Sequence, residues 1–193
     1  KNSHIIIEGK EYLENILKNK KPVIFVSGHF ANYELMSMEI TKKGIPLATI
    51  YRPLNNIFLN PFMEYLRRKY ICKNQIKKGL NGVREAIEFI KKDMSIALMI
   101  DQRVSEGEKI NFFGKPALTT TLPAQLSIKY NLPIIPVFIE RTFENNFKIK
   151  FFKEIHSGEE DNKIVLTEKL NKVLENMIIG NPNEWIWTHN RWK

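Results

Sequence analysis

His29 and Glu34 stand five positions apart in the string Ser27-Gly28-His29-Phe30-Ala31-Asn32-Tyr33-Glu34. An imidazole beside a carboxylate is acid–base chemistry. The carboxylate holds one ring tautomer, stabilises the protonated form, and makes the ring a base for an alcohol or an amine. Five residues along a helix turn the face by roughly 140°, so the two side chains cannot share one helical face. They meet only if His29 lies in a turn before a helix and Glu34 reaches back from its first turn. The spacing equally allows a His that caps the helix and a Glu solvated on its outer face.

The elements around the string fit a strand-to-helix corner. Pro22 to Val26 is an apolar run that reads as a buried strand. Ala31 to Lys43 reads as a helix closed by Gly44. A helix over residues 9–19 leads into the first strand, and the chain is helix-like almost from Lys1. Leu47 to Tyr51 is a second strand, ending at Arg52-Pro53. Asn60 to Tyr70 is a helix whose Phe62, Tyr65 and Leu66 are spaced for one buried stripe. Asn81 to Lys92 is another helix, with Val83, Ile87 and Ile90 on one side. Ser95 to Ile100 is a short, almost wholly apolar strand, as expected of a sheet covered on both faces, and Asp101 ends it. Thr121 to Tyr130 reads as a helix with Thr119 or Thr120 as a cap. Ile134 to Ile139 is a strand despite Pro136, which predicts an edge or a bulge. Phe147 to Phe152 is a strand. Asp161 to Ile179 is a long amphipathic helix stopped by Gly180 and Pro182.

Strands alternating with helices predict an α/β fold with a mainly parallel or mixed central sheet flanked by helices. The short loop before Phe147 favours the mixed form. Ligand sites in such sheets lie beyond the carboxyl ends of the strands. His29, Arg52, and Asp101 with Arg103 occupy three successive strand ends. That convergence is a stronger signal than any single motif, and it favours an enzyme.

The composition is that of an ordinary globular protein, 26% charged and 43% hydrophobic, so no disordered class fits. One cysteine, Cys72, excludes an internal disulfide and a cysteine-based metal site. His4 and His156 lack ligand-like spacing, so no metal and no cofactor is expected. No apolar run approaches the about 18 residues of a membrane-spanning helix. The net charge of +9 gathers in clusters such as Arg67-Arg68-Lys69 and Lys73-Lys77-Lys78. Such a surface favours acidic partners: anionic lipid, nucleic acid or an acidic protein. The chain is rich in Lys, Ile and Asn, and an AT-biased genome would produce the charge as well.

Six pieces stand in order along the chain: Gly28 to Glu34, Tyr51-Arg52-Pro53-Leu54-Asn55-Asn56, Asp101-Gln102-Arg103, Phe112 to Ala117 with Thr119-Thr120, Pro133 to Phe138, and Glu184 to Lys193. The ordered set resembles the lipid A biosynthesis acyltransferases, the lauroyl and myristoyl transferases acting late in lipid A assembly. The resemblance runs from about Ile5 to the end. It implies one acyltransferase domain over residues 1–193, with a glycerolipid-acyltransferase-like fold. It implies transfer of a fatty acyl group from acyl carrier protein to a hydroxyl of a lipid A precursor, at the cytoplasmic face of the inner membrane. His29 matches the family's catalytic His and Glu34 its partner carboxylate; Arg52, Asp101, Arg103 and Asn32 are the expected substrate-binding residues. Family members carry an N-terminal membrane anchor before this region, so the chain is expected to be a piece of a longer one. Some members have an acidic residue where Arg103 stands, so a carboxylate role does not carry over to it.

The residue types give the expected roles. His29 takes the proton as an acceptor hydroxyl attacks the thioester carbonyl, and Glu34 orients the ring. Arg52, a planar multi-donor cation, suits a phosphate or a surface acid. Asp101 holds Arg52 or Arg103, or caps a loop. Trp185, Trp187 and Trp192 with Arg191 suit either a lipid interface or packing of the chain end onto the core. His189 reads as structural. Partners are then acyl carrier protein, a lipid A precursor or related glycolipid, and an anionic membrane surface, with no nucleic acid. The alternatives are an acyltransferase for another glycolipid or phospholipid, a basic nucleic-acid-binding module, and a non-catalytic lipid- or carrier-binding protein.

Overall fold

The computed structural model describes residues 4–193. The chain runs β1 (Ile5–Glu8), α1 (Lys10–Asn19), β2 (Ile24–Ser27), α2 (Glu34–Lys42), β3 (Leu47–Tyr51), α3 (Leu59–Tyr70), β4 (Asn74–Lys77), α4 (Leu80–Ile90) and β5 (Ser95–Met99). It continues β6 (Glu108–Phe112), β7 (Lys115–Thr119), α5 (Leu122–Tyr130), β8 (Ile134–Arg141), β9 (Phe147–Phe151) and α6 (Lys163–Gly180), then a short 3₁₀ turn at Pro182–Glu184. The seven-stranded sheet has the order β1-β9-β8-β2-β5-β3-β4, and β6 and β7 form a separate hairpin.

The sheet is mixed, as the alternation of elements predicts. Among the described residues the β8–β9 pair of the sheet is antiparallel and its other pairs are parallel. Its centre is dry. Ile24, Phe25 and Val26 of β2 and Ile96, Ala97 and Leu98 of β5 are buried, because helices cover a parallel sheet on both faces and leave no polar alternation. Register pairs Ile24 with Ile96 and Ser27 with Met99, so β2 and β5 end level with each other.

Four strands lacked a clear sequence signal. β1 replaces the expected helical start, and β4, β6 and β7 are short and polar enough to read as loops. The β6–β7 turn places both Phe113 and Gly114 at positive φ, the geometry of a tight hairpin. Pro136 does not mark an edge: β8 lies inside the sheet between β2 and β9. It stands where the strand changes partner. The ladder to β2 ends at Pro136 and the ladder to β9 begins at Val137, so the missing N–H interrupts neither.

The α3 stripe is also corrected. Phe62 and Tyr65 are 56% and 54% exposed, and the buried side of α3 carries Arg67 instead. Among the described residues no helix is long and apolar enough to cross a membrane.

Candidate active site

Parallel strands deliver their carboxyl ends to one edge of the sheet. In spatial order these ends are β2, β5, β3 and β4. The residues that follow them are His29, Asp101, Arg52 and Lys78. The three strand-end groups seen in the sequence are therefore side by side, and Lys78 joins them as a fourth.

The turn after β2 is tight. The Phe30 N–H reaches back to the Gly28 carbonyl at 2.9 Å, and Ala31 sits at φ 42, a left-handed conformation that costs a residue with a side chain. A Cβ on Gly28 would approach the Phe30 ring to 2.8 Å and Asp101 Cβ to 3.4 Å. Glycine there is what lets β2 and the Asp101 turn close on each other. The chain end clamps the same turn. The Ala31 N–H donates to the Glu184 carbonyl at 2.8 Å, and Ile186 N–H to the His29 carbonyl at 3.1 Å.

His29 Nδ1 lies 2.7 Å from Asp101 Oδ1, and the His29 backbone N–H donates to Asp101 Oδ2 at 3.0 Å. Trp185 Nε1–H donates to the same Oδ2 at 2.9 Å. Asp101 is 2% exposed. Burial pushes its carboxyl pKa up, but the His29 ring, the His29 N–H and the Trp185 indole outweigh burial and hold it below the usual carboxylate range. An ionised Asp101 keeps the ring proton on Nδ1, which leaves Nε2 as the basic nitrogen.

Glu34 is not the carboxylate on the ring. It opens α2, but its Oε1 accepts from Arg67 Nε at 2.7 Å and Arg67 Nη2 at 2.6 Å. His29 and Glu34 nevertheless line one cavity of about 170 Å³, with Tyr33, Arg52, Arg67 and Lys78 also in its wall. Burial pulls the Lys78 ammonium pKa down and the Arg52 charge pulls it further, with Glu106 opposing. The two cations thus feel each other across the cavity. A second, mostly apolar groove of about 670 Å³ shares Ile50, Lys78, Val104, Thr120 and Leu122 with the first and extends to Leu80 and Val83 of α4.

Three expected contacts have other places. Asp101 holds the His29 ring and caps the turn after β2 through the His29 N–H, and does not hold Arg52 or Arg103. Arg103 does not line the cavity; its backbone N–H donates to His189 Nε2 at 3.0 Å. Asn32 is also outside the lining, and its carbonyl accepts the Leu35 N–H in the entry to α2. Burial, with the charges of Arg191, His29 and Lys78, pulls the His189 pKa down against the opposing Asp101. Its Nε2, accepting the Arg103 N–H, ties down the turn after β5.

The C-terminal aromatics divide. Trp185 is buried and belongs to the site, whereas Trp187 is largely exposed. Arg191 is fully buried, donates to the Leu118 carbonyl at 2.8 Å and to Thr119 Oγ1 at 2.6 Å, and stacks over Phe112. It ties the chain end to the β6–β7 hairpin, and Thr119 serves that tie. Thr120 Oγ1 instead accepts the Leu122 N–H at the start of α5. Sequence reasoning missed Trp185 and Arg67 as site residues. Trp185 is distant in sequence, and Arg67 sat inside an apparently surface-exposed basic run.

Comparisons with known proteins supply the family and the fold. The profile of the bacterial lipid A biosynthesis acyltransferase family matches residues 2–193. Lipid A biosynthesis acyltransferase 2 of Shigella flexneri is 22% identical over 185 residues, covering 93% of this chain and 58% of the relative. The lipid A biosynthesis palmitoleoyltransferase of Escherichia coli K12 is 24% identical over 193 residues, covering 97% of this chain and 61% of the relative. The chain therefore spans about three fifths of the length of these curated relatives. The crystal structure of the 1-acyl-sn-glycerophosphate acyltransferase PlsC from Thermotoga maritima superposes with a TM-score of 0.55 at 16% identity, covering 95% of this chain and 74% of that one. That likeness establishes a glycerolipid-acyltransferase-like fold. With a family profile that extends almost from end to end, the chain belongs to the bacterial lipid A biosynthesis acyltransferase family.

Proposed function

We propose that the protein transfers a fatty acyl group from acyl carrier protein to a hydroxyl of a lipid A precursor, at the cytoplasmic face of the inner membrane. The observation that carries the reading is His29 in the wall of a basic cavity, its Nδ1 held at 2.7 Å by the buried Asp101 behind it. His29 Nε2 takes the proton of the acceptor hydroxyl as its oxygen attacks the thioester carbonyl. Asp101 balances the imidazolium that forms. The tetrahedral intermediate collapses, the C–S bond breaks, and the imidazolium returns its proton to the departing thiolate. Products are an ester and the free carrier thiol. Direct transfer fits best: Cys72 is buried away from the cavity, and the serine and threonine hydroxyls in the cavity wall are engaged elsewhere, Thr49 with Ser37 and Thr120 with the Leu122 N–H, rather than with His29.

Arg52 follows β3 at the cavity and is suited to a phosphate of either substrate. The apolar groove continuous with the cavity suits an acyl chain. Arg68, Lys69 and Lys73 are exposed and offer cations to an acidic carrier. Phe58, Phe62 and Tyr65 form an exposed apolar face beside them, the pairing that an anionic bilayer surface attracts.

The test is mass spectrometry of lipid A from cells carrying the full-length gene, its deletion, or its His29→Ala variant. Deletion and His29→Ala should each remove one acyl chain. Lipid A of unchanged mass, with another glycolipid losing the chain, would overturn the acceptor assignment.

A further inference from the structure

Glu34 and Arg67 form a unit whose purpose the His29 chemistry leaves unexplained. Arg67 is 9% exposed, and two of its three nitrogens are bound to one Glu34 oxygen. The third, Nη1, is buried and has no hydrogen-bond partner among the described residues. Its guanidinium stands 5.4 Å from the Tyr51 ring centroid. Burial pushes the Tyr33 phenol's pKa up, while the charge of the Arg67 guanidinium and a hydrogen bond with it oppose that rise, so Tyr33 packs directly against Arg67. An orphan guanidinium N–H in a packed wall is costly unless something meets it. The same wall carries Arg52, exposed and with no acid paired to it among the described residues, and Lys78. Three cations face one cavity, and Glu34 neutralises one of them only in part.

We propose that Glu34 is a positioning residue for Arg67, fixing the guanidinium so that Nη1, with Arg52 and Lys78, binds a phosphate group of the substrate. This deepens the acyltransferase reading and rests on it for the identity of the substrate. The ligand chemistry is a phosphate ester. Its source is either the acceptor headgroup or the phosphopantetheine arm of the carrier. Held on one Glu34 oxygen through Nε and Nη2, the fork is locked in plane, so the N–H bonds of Nη1 have fixed directions. A lysine at position 67 could not be locked in this way.

Binding of inorganic phosphate to the full-length protein, followed by calorimetry, tests the unit without needing turnover. Arg67→Ala should weaken binding roughly tenfold, because it removes a donor and leaves the Glu34 carboxylate facing the anion. The double variant Glu34→Ala/Arg67→Ala should bind phosphate roughly threefold tighter than Arg67→Ala alone, since the stranded carboxylate is gone. If Arg67→Ala does not fold, Arg67→Gln carries the same comparison. In turnover assays Glu34→Ala should raise a substrate KM by more than it lowers kcat and leave the shape of the kcat–pH profile intact. A raised KM for the lipid acceptor points to the headgroup phosphate; a raised KM for the carrier-bound donor, but not for a phosphate-free thioester, points to the arm. Phosphate binding that the double variant fails to restore, or a Glu34→Ala pH profile that shifts, overturns the proposal. Phosphate binding that follows the expected order in a protein without transferase activity leaves it standing and removes the acyltransferase reading instead.

Discussion

His29 and Asp101 are 72 positions apart in the chain and 2.7 Å apart at their side chains, because β2 and β5 are neighbours that end at the same level. The carboxylate that orients the ring thus comes across the sheet and not from the adjacent helix.

Asp101→Asn should lower kcat by roughly 10²- to 10⁴-fold, on the scale of a positioned acid–base group. An amide in that place can donate to Nδ1 and so move the ring proton to Nε2, the wrong tautomer. Steady-state kinetics measure the loss, and ¹⁵N imidazole shifts report the tautomer. Turnover near that of the unaltered enzyme would return the orienting role to Glu34.

Asp101 also links stability to pH. Its folded pKa lies below the usual range, so the unfolded chain binds its proton first as pH falls. The carboxylate's contribution is fully present above the ordinary aspartate pKa of about 4 and is lost as pH drops through the depressed folded value. The stability gap between the unaltered protein and Asp101→Asn should therefore be widest near neutrality and shrink below about pH 4. Denaturant titrations at several pH values check this; a gap that widens with acid would contradict the depressed pKa.

Arg191→Met should destabilise the protein by roughly 2–4 kcal/mol, since Leu118 and Thr119 lose a charged donor inside the core. Burial lowers the Arg191 pKa to about 10, so the group stays charged at neutral pH. Because the same chain end presents Trp185 to Asp101, kcat should fall as well. Urea unfolding measures the first effect; a loss below 0.5 kcal/mol, the ordinary range for a surface change of about that size, would mean that the clamp is loose.

Val83 on α4 lines the apolar groove. Val83→Phe should shorten the acyl chain preferred as donor, because added volume in an apolar pocket discriminates by roughly 1–3 kcal/mol per methylene-sized misfit. Competition between carrier-bound acyl donors of different lengths reads this directly. An unchanged length preference would place the acyl chain elsewhere.

The sequence by itself determined the kind of fold and most of its pieces. Helices over 9–19 and Asn60 to Tyr70, and the strands Leu47 to Tyr51 and Ser95 to Ile100, are legible because periodicity and punctuation act over a few residues. It also placed His29, Arg52 and Asp101 at strand ends, since a strand's end is a local event. What joins those ends is not local. Glu34, near in sequence, went to Arg67; Asp101, far in sequence, went to His29. Arg67 was hidden in a basic run because exposure of a helix face depends on what packs against it, and Phe62 and Tyr65 were misjudged for the same reason. Trp185 reached Asp101, and Arg191 the β6–β7 hairpin, only because the chain end folds back over the His29 turn and that hairpin. Strand order decided these partnerships. It is set by which apolar surfaces bury each other across the whole chain, a cooperative outcome that no short window of sequence contains.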